Sequence, residues 1–155
     1  MTKVLFVGLG SIGQRHLRNL RHLMGDAVEI IAYRERRTVP MLDDHQEVIE
    51  NRPISDEYQV REIDTLEEAL SETPDIALIA NPSSKHVKAA IKAAKFGCHL
   101  FIEKPLGSDH EGIDELIELV DRKRLVVFVG YQFRFHPGLQ TIFRWLQEQR
   151  IGKLI

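Results

Sequence analysis

Val4-Leu5-Phe6-Val7-Gly8-Leu9-Gly10-Ser11-Ile12-Gly13 stands near the start of the chain, and a helical spacing of apolar residues (Ile12, Leu17, Leu20, Leu23, Met24) follows at once. Four consecutive apolar residues read as a buried strand, and the glycine-rich turn then leads into a helix. The first glycine of such a turn permits tight reversal and the second lets backbone approach a phosphate. The third lets helix pack closely on strand. Unpaired N–H groups and the positive end of the helix dipole then face an anion. A bare Gly-x-Gly-x-x-Gly is weak by itself, because glycine-rich turns also serve purely structural ends. Its place between strand and helix favours a dinucleotide cradle, with Gly8, Gly10, Ser11, Ile12 and Gly13 as its residues.

Strand and helix patterns alternate through the 155 residues. Val28 to Tyr33 reads as a second buried strand, and 76–80, 99–102 and 125–129 read as further ones. Residues 34–62 are polar and poorly periodic, with a helix expected at about 39–50. Thr65-Leu66-Glu67-Glu68 has capping-box form. Helices are expected from Ser83 (Val87, Ala90, Ile91, Ala94), ending at Gly97, and from a Ser108-x-x-Glu111 cap (Ile113, Leu116, Ile117, Val120). A last one follows Pro137 (Leu139, Ile142, Phe143, Leu146). Continuous apolar strands between amphipathic helices specify an α/β fold: an open, doubly wound, mostly parallel sheet, Rossmann-like, in a single domain.

Composition narrows the function. With 21 basic against 23 acidic residues there is no basic excess for a nucleic-acid surface. No apolar run approaches the ~20 residues of a membrane span, and the N-terminus leaves no room for a signal peptide. A single cysteine, Cys98, permits no internal disulfide, which suits the cytoplasm. The histidines show no metal-ligand spacing, so no metal site is expected.

In a doubly wound sheet, ligands sit beyond the carboxyl ends of the strands. That rim carries residues 8–13, 33–35, 81–83 and 103–105. After the second strand, Arg34-Glu35-Arg36-Arg37 offers two readings: Glu35 on a ribose 2′-hydroxyl, or Arg34 on a 2′-phosphate. An arginine fork pairs with phosphate oxygens bidentately, which tilts the cofactor from NAD toward NADP. A solvated charged loop is the plain alternative. Asn81-Pro82-Ser83 and His86 form either a lip against the nicotinamide ribose or pyrophosphate, or simply a capped helix start. Glu103-Lys104-Pro105 is the sharpest chemical signal. A lysine in a confined site can exchange a proton with a substrate hydroxyl during hydride transfer. Glu103 is read as orienting groups, and an exposed charged turn is the bland alternative. In Gly130-Tyr131-Gln132-Phe133-Arg134-Phe135-His136-Pro137, Gln132 and Arg134 can reach the cofactor, while the aromatics either cover it or pack as a corner.

These pieces together resemble the N-terminal half of the glucose–fructose oxidoreductase/inositol dehydrogenase/rhizopine catabolism (Gfo/Idh/MocA) family. The matching residues are Gly8-Leu9-Gly10-Ser11-Ile12-Gly13-Gln14-Arg15-His16, Asn81-Pro82 with His86, Glu103-Lys104-Pro105-Leu106-Gly107, and Gly130-Tyr131-Gln132-x-Arg134-Phe135-x-Pro137. The resemblance implies an NAD(P)-dependent oxidoreductase acting on a sugar, inositol or related polyol, with Lys104 as catalytic lysine and Glu103 on the cofactor side. It also implies a cis Lys104–Pro105 bond. Family members continue into a second, largely antiparallel domain that binds substrate, mediates oligomerisation and supplies an Asp and a His to work with the lysine. On this likeness residues 1–150 are the dinucleotide-binding domain and 151–155 begin the missing substrate domain; the piece is then inactive alone and its parent a possible homo-oligomer. A stand-alone domain, a non-catalytic dinucleotide sensor and a methyltransferase are the rival readings. Glu103-Lys104-Pro105 has no task in the last of these.

Overall fold

A computed structural model describes residues 1–36, 39–43, 45–50 and 52–152. Six strands form one sheet: β1 (Thr2–Val7), β2 (Val28–Tyr33), β5 (Arg61–Ile63), β6 (Ile76–Ile79), β7 (His99–Ile102) and β8 (Val127–Val129). Their order is β5-β2-β1-β6-β7-β8, and every neighbouring pair is parallel. Successive sheet strands thus grow outward one way from β1 and then the other, the dinucleotide-binding order. The reversal lies between β1 and β6, where Val4–Val7 runs in register with Ile76–Ile79. Helices α1 (Ser11–Met24), α2 (Ile54–Tyr58), α3 (Leu66–Ser71), α4 (His86–Lys95) and α5 (Ile113–Lys123) cover the sheet.

Side chains alternate across a strand, so a strand buried on both faces must be apolar throughout. Along β1, Leu5 and Val7 join a core with Ala90, Ala94 and Leu116, while Val4 and Phe6 join a second with Leu17 and Ile54. Thr65 caps α3 as its sequence foretells, its hydroxyl accepting the Glu68 N–H. Among the described residues no helix is long and apolar enough to cross a membrane.

Four expectations need correction. Residues 39–50 contain no helix among those described; β3 (Met41–Leu42) pairs antiparallel with β4 (Val48–Ile49) instead. The Asp43 carboxylate accepts the His45 and Glu47 N–H groups and closes this hairpin locally. Gln14 then pins the hairpin to α1. Fully buried, it donates to the Leu9 and Pro40 carbonyls and accepts the Leu42 N–H. Second, Ser108 caps no helix. Its hydroxyl donates to Asp109, whose carboxylate accepts the Glu111 N–H, and α5 begins only after Gly112 at φ +79°. Third, a single 3₁₀ turn (Ser83–Lys85) precedes α4. Fourth, the apolar spacing of α6 (Pro137–Gln147) marks no buried face: Leu139, Ile142 and Phe143 are exposed, Leu146 is half-buried, and none of its residues is buried. The expected strand start at 151–155 falls largely outside the described residues.

At the amino ends of the strands, away from the rim, Arg61 bonds Glu72 and Glu29, and Lys3 joins both acids. Arg61 holds the Glu72 carboxyl down to about 2. A depressed carboxyl stabilises the fold above its unfolded pKa, and that contribution is lost as pH falls toward the folded value. Glu72→Gln is therefore expected to lower stability at neutral pH by about 1 kcal/mol or less. It should also flatten the acid limb of stability between the usual glutamate range and about pH 2. An unchanged acid limb in urea titrations would contradict the assignment. Gln14→Ala removes three hydrogen bonds and strands the Leu42 N–H, so a loss of roughly 2 kcal/mol is expected in the same assay. A change within about 0.5 kcal/mol, the ordinary range of surface substitutions, would show that the hairpin does not depend on it.

Candidate functional site

The site begins with backbone geometry at the sheet's reversal point. Gly8 has φ +98°, and a Cβ there would lie 2.8 Å from the Asn81 nitrogen on the turn after β6. A Cβ on Gly13 would lie 2.3 Å from the Gly8 carbonyl oxygen. Both positions admit only glycine without displacement of backbone. Gly10 differs, since nothing lies within 4 Å of its Cβ position. The tight turn at Gly8 and the close helix packing at Gly13 are thus as their spacing foretells, while Gly10 faces open space. Gly10 opens α1 without any side-chain cap, and the first intrahelical bond there runs from the Gln14 N–H to its carbonyl. The N–H groups before that bond are offered to whatever occupies the adjoining space.

That space is a hollow of about 320 Å³ lined by Gly8, Leu9, Gly10, Ser11, Ile12, Tyr33, Arg34, Glu35, Arg36, Asn81 and Pro82, among others. A second hollow of about 350 Å³ is lined by Ile12, Asn81, Ser83, His86, Glu103, Lys104 and Pro105. Ile12 and Asn81 belong to both, so the two form one groove across the reversal point. The Asn81 Oδ1 is buried at this junction with no hydrogen-bond partner. An orphaned acceptor beside an uncapped helix N-terminus fits a ligand carrying both an anion and hydroxyl or amide donors, as a dinucleotide does.

Charges on the rim are mostly paired. The Arg34 side chain, 6% exposed, donates to Glu62 at 2.8 Å and to the Val39 carbonyl. Glu35 takes an ion pair from Lys85, which holds its carboxyl below the usual carboxylate range. Arg36 lines the same hollow with no ion pair among the described residues. Glu103 is buried beneath the other end. Its Oε1 accepts from His16 Nε2 at 2.6 Å and its Oε2 from the Lys104 N–H at 3.0 Å. The carboxylate thus bridges the His16 ring and the Lys104 backbone. The Lys104–Pro105 bond is cis, as the resemblance implied. The Lys104 ammonium is exposed in the groove and has no partner among the described residues.

Other expected residues are placed differently. His86 lines the second hollow but is 2% exposed, with Nδ1 2.8 Å from the Pro105 carbonyl oxygen and Nε2 2.7 Å from that of Asn81. Neither nitrogen is left for a ligand. Gln132 and Arg134 line neither hollow. They lie on an exposed 3₁₀ turn after the edge strand β8, where the Arg134 guanidinium sits 5.8 Å from the Phe128 ring centroid. Phe135 stacks on that ring, so the aromatic corner is real, although Phe133 and Phe135 remain open on its outside. His16 is the contributor that periodicity missed. It sits one helical turn beyond Ile12, toward β7, and only its partner in space reveals its task. Among the described residues no cluster of His, Cys, Asp and Glu could hold a metal ion.

Residues 2–131 match the model of the Gfo/Idh/MocA oxidoreductase family, described as its NAD-binding Rossmann fold. The chain belongs to this family. It is 27% identical over 147 residues to a myo-inositol 2-dehydrogenase of Thermotoga maritima, covering 95% of this chain and 41% of that protein. A UDP-N-acetylglucosamine 3-dehydrogenase of Acidithiobacillus ferrooxidans is 33% identical over 106 residues, 64% of this chain and 34% of that one. Among solved structures, the WlbA dehydrogenase of Chromobacterium violaceum, in complex with NADH and UDP-GlcNAcA, superposes with a TM-score of 0.77. It is 25% identical, and the match covers 97% of this chain and 41% of that one. The chain thus spans about two-fifths or less of the length of these relatives.

The glycines separate fold from binding. Gly10→Ala is expected to leave the melting temperature within about 2 °C while weakening dinucleotide binding at least tenfold, because its methyl enters only open space on the ligand side. Gly13→Ala is expected to cost roughly 3 kcal/mol or more by driving β1 and α1 apart. Equal thermal effects of the two would contradict this division.

Proposed function

We propose that this chain is the cofactor-binding half of an NAD(P)-dependent dehydrogenase acting on a hydroxyl carbon of a sugar, inositol or related polyol. The observation that carries the reading is Lys104 in the same groove as the uncapped Gly10 turn, joined to it through Ile12 and Asn81. Gly8, Gly10, Ser11, Ile12 and Gly13 would hold the pyrophosphate, Tyr33 and residues 34–36 the adenosine side, and Asn81, Pro82 and Glu103 the nicotinamide side. The bound dinucleotide supplies the hydride acceptor or donor. Lys104 exchanges the proton at the substrate hydroxyl oxygen, and the Glu103–His16 pair fixes the backbone that presents it. The choice of sugar, inositol or polyol rests on what the relatives are named for.

The open apolar face of Phe133, Phe135, Leu139, Ile142 and Phe143 suits the packing of a substrate-binding domain, or of a second copy in a homo-oligomer. The isolated chain is accordingly expected to bind cofactor and turn over little.

We further propose a preference for NADP. With Glu35 neutralised by Lys85 and Arg34 tied to Glu62, Arg36 is, among the described residues, the cation in the hollow that stands ready for a 2′-phosphate. Calorimetric titration should show NADPH binding at least as tightly as NADH. Arg36→Ala should weaken NADPH about tenfold while leaving NADH nearly unchanged. Equal losses for both would remove the 2′-phosphate role. Absence of binding by either at millimolar concentration would sink the dehydrogenase reading itself.

A further inference from the structure

Lys85 and Glu35 stand 50 positions apart in the chain, and their side chains meet. The Lys85 Nζ lies 2.6 Å from Glu35 Oε1 and 2.5 Å from Oε2, so one ammonium holds both carboxylate oxygens. Topology says where this pair lies. β1 runs between β2 and β6, and Tyr33, Val7 and Ile79 form one row across the three strands. Adjacent strands are about 4.8 Å apart, so the outer two are separated by roughly 10 Å. Glu35 follows the end of β2, and Lys85 closes the 3₁₀ turn after β6. The ion pair therefore joins the loops on either side of the glycine turn that follows β1.

Glu35 lines the first hollow, and the Lys85 N–H is held by the carbonyl of Pro82, which lines that hollow too. The two side chains are 56% and 48% exposed, so a ligand in the hollow can compete for either. A glutamate standing free after the second strand would accept the adenosine ribose hydroxyls and repel a phosphate on that ribose. Here both of its oxygens are taken. An ammonium carries three N–H groups. Two face Glu35, which leaves one for an incoming oxyanion.

We propose that Lys85 is a specificity-determining residue for the dinucleotide: it withdraws Glu35 from the ribose hydroxyls and offers its remaining N–H to a 2′-phosphate. The proposal rests on the dehydrogenase reading and adds a residue from the β6 side of the hollow to those that follow β2. Removing the ammonium has two opposite effects. It frees the carboxylate to accept from an NADH ribose, and it sets an unpaired negative charge against the NADPH phosphate. The preference is then expected to reverse, where loss of an ordinary contact would weaken both cofactors alike. An exposed ion pair contributes little to the fold, so the effect belongs to the ratio of affinities.

Calorimetric titration of this chain and three variants with NADPH and with NADH, at one fixed salt concentration, tests it. Lys85→Met keeps the reach of the side chain and removes its charge. It is expected to weaken NADPH about tenfold and to tighten NADH about threefold, with the melting temperature unchanged. Glu35→Gln reads the same pair from its other side. It is expected to leave NADH within about twofold of wild type, because Lys85 already occupies Glu35, and the double variant should lose the NADH gain. An NADPH-to-NADH affinity ratio in Lys85→Met within about twofold of wild type would overturn the proposal. A loss of NADH affinity of about tenfold in Glu35→Gln would do the same, since Glu35 would then be the ribose ligand of the wild type. A wild-type chain that binds neither cofactor at millimolar concentration would overturn the dehydrogenase reading and this proposal with it. In the two preceding outcomes that reading stands and Lys85 alone loses its role.

Discussion

Where β1 hands over to α1, two backbones lie closer than any side chain would allow. The Gly13 Cβ position is 2.3 Å from the Gly8 carbonyl oxygen, and that of Gly8 is 2.8 Å from the Asn81 nitrogen. Three segments thereby converge on a few ångströms at the point where the sheet's strand order reverses. The helix N-terminus can stand directly over the strand end only because of this approach. It also leaves Gly10 facing open space with uncapped N–H groups around it. The same closeness sets Asn81 at the junction of both hollows. An anion cradle and a proton-transfer group become neighbours because β6 and β7 follow β1 in register across the sheet.

Around that centre, pairing decides which charges remain for ligands. Glu62 takes Arg34, Lys85 takes Glu35, and His16 takes one oxygen of Glu103 while the Lys104 N–H takes the other. Among the described residues lining the two hollows, Arg36 is left over at one end and the Lys104 ammonium at the other. Selectivity and chemistry are then assigned by what the neighbours have already claimed. Reading charged residues along the chain cannot supply that information.

The sheet and its rim were legible from sequence because each depends on local signals. Continuous apolar runs mark strands buried on both faces, and the spacing of Gly8, Gly10 and Gly13 marks a strand–turn–helix crossing. Thr65 behaved as its capping box predicts. Failures came where tertiary contacts outrank local pattern. The 39–50 segment is held by Gln14, a polar residue that any helical wheel would place at the surface, and its turn is closed by Asp43. Ser108 has the form of a cap, yet Asp109 takes its hydroxyl. The spacing in α6 was real, but periodicity says that a face is apolar and not what covers it. Similarly, His86 and Arg34 lie at rim positions, as expected, but their bonding atoms point to the protein. Glu103 reads either as a group that orients others or as part of an exposed turn, and the sequence does not say that His16, 87 positions earlier, lies against it.

The proposed dinucleotide site runs from the Gly10 turn through Asn81 to Lys104. Backbone amide shifts of the ¹⁵N-labelled chain, followed as NADH is added, address it residue by residue. The expected result is saturable movement of the Gly10, Ser11, Ile12, Asn81 and Lys104 resonances on a single binding curve, with the α6 resonances still. Movement confined to the aromatic face around Phe133 and Phe143, or no movement at Gly10 and Ser11 at saturation, would contradict it.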